Sequence, residues 1–231
     1  MSKSVFITGA SRGIGLALTH HYLMNGDQVF AAARNPETQS LAALKNEYPG
    51  LLTIIALDVA DPLSIEKAAA ELRGQPIHLL INNAGIFKSK RAELETLDES
   101  TWIEEFRVNS ISPLMITRAL KANLAATSQG IVCMMSSKMG SMGDNNSGGD
   151  YSYRSSKAAL NAVSVSMARD LAEDGIAVVA LHPGWVRTDM GGPNALIDVE
   201  TSAMGIKSVL DRVGPSESGR FFDFLGNELP W

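Results

Sequence analysis

The sequence predicts an α/β fold: a doubly wound, mostly parallel sheet of about seven strands with helices on both faces. Three observations predict it. Short apolar runs rich in Val and Ile alternate along the chain with longer stretches of helical periodicity. Strands that alternate with helices imply right-handed crossovers, and so a parallel sheet covered on both sides. A glycine-rich turn, T-G-A-S-R-G-I-G, lies between the first strand and the first helix, where such folds bend the chain tightly. Finally, 231 residues with 45% hydrophobic content can bury a large core. No repeat, low-complexity segment or linker divides the chain, so residues 1–231 read as one domain.

Val5 to Thr8 is a β-branched apolar run stopped by Gly9, and Ile14, Ala17, Leu18 and Tyr22 follow with helical spacing until Asn25-Gly26. Val29 to Ala33 forms the second strand and ends at Arg34-Asn35-Pro36, before a helix from about Glu37 to Lys45. Leu51 to Leu57 is the third strand, and Pro62 opens a helix reaching about Leu72. Ile77 to Ile81 is the fourth strand, Asn82 to Thr96 a loop, and Asp98 opens helical territory extending to about Ala126. The fifth strand starts at Ile131. A helix containing Tyr153, a sixth strand from Ile176 to Leu181, a helix over about Thr201 to Arg212 and a seventh strand from Arg220 to Phe224 complete the pattern.

Composition excludes several classes of function. Net charge is -5 and basic residues are dispersed, which gives no electrostatic footprint for nucleic acid or an anionic membrane. No apolar run approaches the ~18 residues of a membrane span, and the N-terminus carries no signal-peptide pattern. Cys133 is the single cysteine and falls within the fifth strand, so no disulfide forms within the chain. A cytoplasmic protein is expected. His20 and His21 point in different directions from one helix, while His78 and His182 stand apart, so no metal site is expected.

The chemistry centres on the stretch from Ile131 to Leu160. The fifth strand ends at Ser136-Ser137, a polar loop from Lys138 to Gly149 follows, and Tyr153 and Lys157 then sit four apart at the start of an Ala-rich helix. That spacing places both side chains on one face. An ammonium ~4 Å from a phenol, at an effective dielectric of ~20, favours the phenolate by roughly 4 kcal/mol. Tyr153 is therefore expected to have a lowered pKa, suited to general acid–base catalysis. Taken alone, Y-x-x-x-K reads as a solvated surface helix pair and Ser136-Ser137 merely as a strand end.

Other turns supply a binding surface. Gly9, Gly13 and Gly15 allow close approach of a pyrophosphate to a helix N-terminus. An NAD-specific fold offers an acid at the end of the second strand. Here Arg34 stands there, with Arg12 nearby, and two guanidiniums suit a 2′-phosphate. Asp58-Val59 is placed to touch an adenine, or else Asp58 caps the helix near Pro62. Asn82-Asn83-Ala84-Gly85 suits backbone approach to a ribose. Asn109, a mediocre helix former within helical territory, either faces solvent or binds a water in the site.

Taken together, T-G-A-S-R-G-I-G, N-N-A-G, V-N, the S-S strand end, Y-x-x-x-K and P-G-W-V-R-T resemble the short-chain dehydrogenase/reductase family over nearly the whole chain. Within it, M-G-S-M-G-D-N-N-S-G-G-D-Y-S-Y-R-S-S-K and the ending F-F-D-F-L-G-N-E-L-P-W resemble the C-factor and sniffer-type carbonyl reductase subgroup. The resemblance implies a Rossmann-like sheet and a catalytic tetrad of Asn109, Ser137, Tyr153 and Lys157. Ser137 rather than Ser136 matches because Lys138-Met139-Gly140 follow it, and Tyr153 rather than Tyr151 because only Tyr153 has a lysine four residues on. Cofactor contacts are implied at Gly9, Ser11, Arg12, Gly13, Ile14, Gly15, Arg34, Asp58, Val59, Asn83, Ala84, Gly85, Tyr153 and Lys157. Pro183, Gly184, Val186 and Thr188 match the turn that holds the nicotinamide. Ser137 and Tyr153 lie sixteen positions apart, a few more than the family pattern, with the extra length in the Gly/Asn loop.

The implied activity is reduction of a small-molecule aldehyde, ketone or quinone to an alcohol, with NADP(H) as cofactor rather than NAD. A dinucleotide-binding signalling protein on the same fold is the alternative, since fold alone does not settle function. The segments from Phe87 to Leu97 and from Asp189 to Val199 are expected to form the substrate pocket. The helix after Tyr153 carries a stripe at Leu160, Val163, Met167 and Leu171, with Ala158 and Ala162 on another side, and the preceding helical stretch is apolar at Ile111, Leu114, Met115, Ile116 and Ala119. Helices apolar beyond one stripe bury more than one side, so a homodimer or homotetramer is expected.

Overall fold

The computed structural model describes residues 2–90, 92 and 94–231. The chain runs through β1 (Ser4–Thr8), α1 (Gly13–Met24), β2 (Gln28–Ala33), α2 (Gln39–Glu47), β3 (Leu52–Ala56), α3 (Pro62–Glu71) and β4 (Leu79–Asn82). Next come α4 (Glu99–Phe106), a π-helical turn (Arg107–Ile111), α5 (Ser112–Ala119), α6 (Lys121–Ala125) and β5 (Gly130–Met135). After them stand α7 (Tyr151–Asp170), β6 (Ile176–His182), α8 (Val199–Leu210) and β7 (Phe221–Asp223). The strands form one parallel sheet in the order β3-β2-β1-β4-β5-β6-β7, as the alternating pattern predicts.

Strand side chains alternate between two cores, as the period of two requires. Val5, Ile7, Val29, Ala31 and Cys133 face α1, α2 and α8, whereas Phe6, Phe30, Val132 and Met134 face α3, α5, α6 and α7. Strands buried on both faces explain the near-continuous apolar runs in the sequence. Three helices start where a carboxylate accepts an early amide: Asp61 in α3, Asp98 in α4 and Asp198 in α8. Asp61, not Asp58, is therefore the cap beside Pro62.

The long helical territory after Asp98 is not one helix. Its register widens at the π-helical turn containing Asn109, and Leu120 separates α5 from α6. Such widened turns free backbone groups and recur at functional sites. Strand order reverses between β1 and β4, which opens a crevice beyond their carboxyl ends. Among the described residues, no helix is long and apolar enough to cross a membrane.

Candidate active site

The glycine turn after β1 is a backbone cradle. Gly9 and Gly13 have φ of 66° and 53°, a region that L side chains rarely adopt. A Cβ on Gly15 would lie 2.3 Å from the Gly9 carbonyl oxygen, so only glycine fits. Asn83 donates through Nδ2 to the Thr8 carbonyl at 2.9 Å, and the Ala84 amide donates to Thr8 Oγ1 at 2.9 Å. The N-N-A-G turn is thus bonded to the glycine turn, and the Asn83 side chain braces the cradle instead of reaching into it. The Ser40 hydroxyl fixes the Ser11 carbonyl from α2 at 3.0 Å. Arg12 stands at the N-cap of helix α1 with no side-chain cap, and the first turn carries no acid. Free amides at an uncapped helix start, approached by backbone alone, fit a pyrophosphate.

Around this cradle, Arg34 is exposed at the end of β2 and has no ion-pair or hydrogen-bond partner among the described residues. Arg12 differs from expectation. Its guanidinium meets Asp189 at 2.5 Å across the mouth of the crevice, and both side chains are largely solvated. An exposed pair of this kind contributes little and exchanges readily. Asp58 accepts the Ala60 amide in a tight turn, and the Val59 carbonyl accepts the Ser112 hydroxyl. Ile14 is half-buried on the first turn of α1.

The turn after β6 faces the cradle, since Thr188 Cγ2 lies 3.5 Å from where a Cβ on Gly13 would be. The Pro183 carbonyl accepts the Ser202 hydroxyl, and Gly184 takes φ of 88° with Ile197 and Phe224 packed too closely for a Cβ. Thr188 Oγ1 donates to the Val186 carbonyl and accepts the Gly191 amide. Lys90 donates to the Met190 carbonyl at 3.1 Å, which joins the two segments expected to form the pocket. Of the first segment, Arg91 and Glu93 lie outside the described residues.

Beyond β5 the two serines separate. Ser136 donates to Asn161 Oδ1 on α7, whereas Ser137 Oγ accepts the Met139 amide at 3.1 Å and stands beside the Tyr153 phenol. Tyr153 is buried, Tyr151 is exposed, and the Phe87 ring stacks on Tyr153 with centroids 4.1 Å apart. Lys157 donates to the Met135 carbonyl at 2.8 Å and holds its Nζ 5.9 Å from the Tyr153 ring centroid. A Cβ on Gly140 would lie 2.7 Å from the Lys157 carbonyl carbon, so that glycine lets the strand-end turn press against α7. Asn109 is buried and its side chain is turned onto the Ile86 backbone. Its amide accepts the Ile86 N–H and donates to the Ile86 carbonyl, both at 2.9 Å, and donates to Ser156 Oγ. A Cβ on Gly85 would stand 3.3 Å from Asn109 Oδ1 and 3.6 Å from Lys157 Nζ, so Gly85, Asn109 and Lys157 converge.

The electrostatics correct one expectation. Burial pushes the Tyr153 phenol up to about 12; the neighbouring Ser137 hydroxyl opposes that rise and the Glu105 charge adds to it. Burial outweighs the neighbouring ammonium at Tyr153, and it brings Lys157 itself down to about 8 against the Glu105 charge. Glu105 escapes sequence reading, as do the stacking of Phe87 on Tyr153 and the close approach to α7 that Gly140 allows. Glu104-Glu105 looks like an ordinary solvated helix pair, and only the four-residue step from Glu105 to Asn109 hints at a shared face.

The family model for short chain dehydrogenases matches residues 3–195. The C-signal of Myxococcus xanthus is 43% identical over 156 residues, covering 68% of this chain and 93% of that protein. The NADPH-bound carbonyl reductase from chicken fatty liver superposes with a TM-score of 0.91 at 35% identity, covering 100% of this chain and 99% of that one. The carbonyl reductase Sniffer of D. melanogaster gives 0.93 at 32% identity, with both chains covered in full.

Proposed function

The chain belongs to the short-chain dehydrogenase family, and from that premise we propose that it is an NADPH-dependent reductase of aldehydes, ketones or quinones. The observation that carries this reading is the convergence of Ser137, Tyr153 and Lys157 beside a glycine cradle that fits a dinucleotide. The likeness to reductases described as NADPH-bound or as carbonyl reductases supports the same choice of cofactor and reaction.

When bound, NADPH supplies a hydride to the carbonyl carbon. The chain's part is to hold the carbonyl oxygen and to deliver a proton to it. Ser137 donates a hydrogen bond to that oxygen as negative charge develops. Tyr153 gives up the phenolic proton as the alkoxide forms. A buried phenol near 12 stays loaded at working pH, and an alkoxide is the stronger base, so transfer runs toward the alcohol. The phenolate left behind faces the Lys157 ammonium. Asn109 and Gly85 shape the wall on the Lys157 side. Arg34 would bind the 2′-phosphate, joined by Arg12 once it leaves Asp189. The amides at the start of α1 would hold the pyrophosphate, while Pro183, Gly184, Val186 and Thr188 would hold the nicotinamide end.

We further propose a homodimer or homotetramer. Leu160, Met167 and Leu171 face the sheet. Ile103, Ile111 and Leu114 remain exposed on one side of the α4–α5 segment, which packs beside α7 through the Trp102–Ser155 hydrogen bond. A second copy laid on that face would cover them. The likeness to the C-signal favours a second reading, a signalling protein in which catalysis is secondary. NADPH oxidation across a panel of aldehydes, ketones and quinones separates the two. The reductase reading expects carbonyl-dependent oxidation with at least one class, and binding of NADPH without turnover on any of them would favour signalling.

A further inference from the structure

Glu105 is fully buried on α4, yet no Lys, Arg or His side chain pairs with it among the described residues. Its carboxylate accepts the Lys88 amide at 2.6 Å, the Ser89 amide at 2.9 Å and the Ser89 hydroxyl at 3.0 Å. All of these partners donate, the arrangement of an ionised carboxylate. One turn further on, Asn109 grips both the N–H and the C=O of Ile86. Two side chains four residues apart therefore fasten the backbone at 86, 88 and 89 to one helix face. Between those anchors stands Phe87, whose ring lies stacked on Tyr153.

We propose that Glu105 is a positioning residue of the reductase site: its buried carboxylate clamps the segment that lays Phe87 on Tyr153 and sets the charge one turn from Asn109, which stands beside Lys157. This rests on the reductase reading for its consequence in turnover, but not for its test. The groups around Lys157 are few. Tyr153 faces it from its own helix, Asn109 and Gly85 stand on another side one turn beyond Glu105, and β5 and the following turn present the Met135 carbonyl and the Gly140 backbone. Glu105 is the acid whose charge bears on the ammonium. Its charge raises the titration of both Lys157 and Tyr153.

The test is carbon-13 NMR titration of labelled lysine and tyrosine side chains in the cofactor-free protein, with Lys157→Met and Tyr153→Phe assigning the signals. Glu105→Gln should move both midpoints to lower pH, by about one unit. Ser89→Ala, which loses one bond to the carboxylate but keeps the charge, should leave both midpoints in place. If Glu105→Gln does not fold, Glu105→Asp draws the charge back by one methylene and should shift both midpoints the same way by less. Midpoints that stay fixed or rise in a folded Glu105 variant would overturn the proposal, as would a Ser89→Ala shift as large as that of Glu105→Gln. None of these readings needs turnover, so a failed substrate panel and a failed Glu105 assignment remain distinct results.

Discussion

Arg34 and Lys157 are cations in opposite settings, one solvated and without a partner, the other buried against a carbonyl. A hydrogen bond to a charged group contributes roughly 1.5–3 kcal/mol, so Arg34 should supply about ten- to a hundredfold of preference for NADPH over NADH. Arg34→Asp should erase or reverse the ratio of kcat/KM for the two cofactors, and an unchanged ratio would remove Arg34 from the account. Lys157 contributes through its burial. Its pKa falls from an ordinary 10.5 to about 8. Below pH 8 both folded and unfolded chains hold that proton and the burial penalty is full, about 3 kcal/mol. Between about 8 and 10.5 the unfolded chain holds the proton and the folded chain does not, so stability rises with pH there. Lys157→Met should therefore raise the Tm of cofactor-free protein at pH 7, and this advantage should shrink as pH approaches 10. Spacing made Tyr153 and Lys157 legible in the sequence. It did not make legible the direction of the Tyr153 shift, which depends on burial depth.

At the scale of elements, the strands and most helices were legible because apolar period and turn residues agree. The segment after Asp98 was not, because a π-helical turn adds one residue to a helical pattern without altering its composition. That turn places Asn109 against Ile86, a contact between residues 23 positions apart that no local signal announces. The contact between the strand-end turn and α7 was equally hidden, for it depends on the missing side chain of Gly140. Gly140→Ala would press a methyl group into the Lys157 backbone. We expect a loss of about 1–3 kcal/mol in stability and at least a tenfold loss in kcat. NADPH affinity should change far less, since the cradle after β1 is built from other residues. Denaturant unfolding and steady-state kinetics check this together; an equal loss of NADPH binding would mean that the turn serves the cofactor instead.

For the whole molecule, the parallel sheet gathers the glycine turn, the N-N-A-G turn, the Ser137 strand end and the Pro183 turn at one edge, though they lie far apart in sequence. The outer face of α4, α5 and α7 follows a different logic. Ile111→Asp with Leu114→Asp should convert a dimer or tetramer to smaller species by light scattering at micromolar concentration, whereas a wild-type monomer would refute the assembly. The central claim is that one buried phenol protonates the carbonyl oxygen at a site that binds NADPH without its help. It is tested most directly by Tyr153→Phe, with NADPH affinity measured by fluorescence titration and carbonyl-dependent NADPH oxidation measured on the same preparation. The account predicts NADPH affinity within a few-fold of wild type and a loss of kcat of at least a hundredfold. Turnover that survives in Tyr153→Phe, or that is abolished by Tyr151→Phe instead, would contradict it.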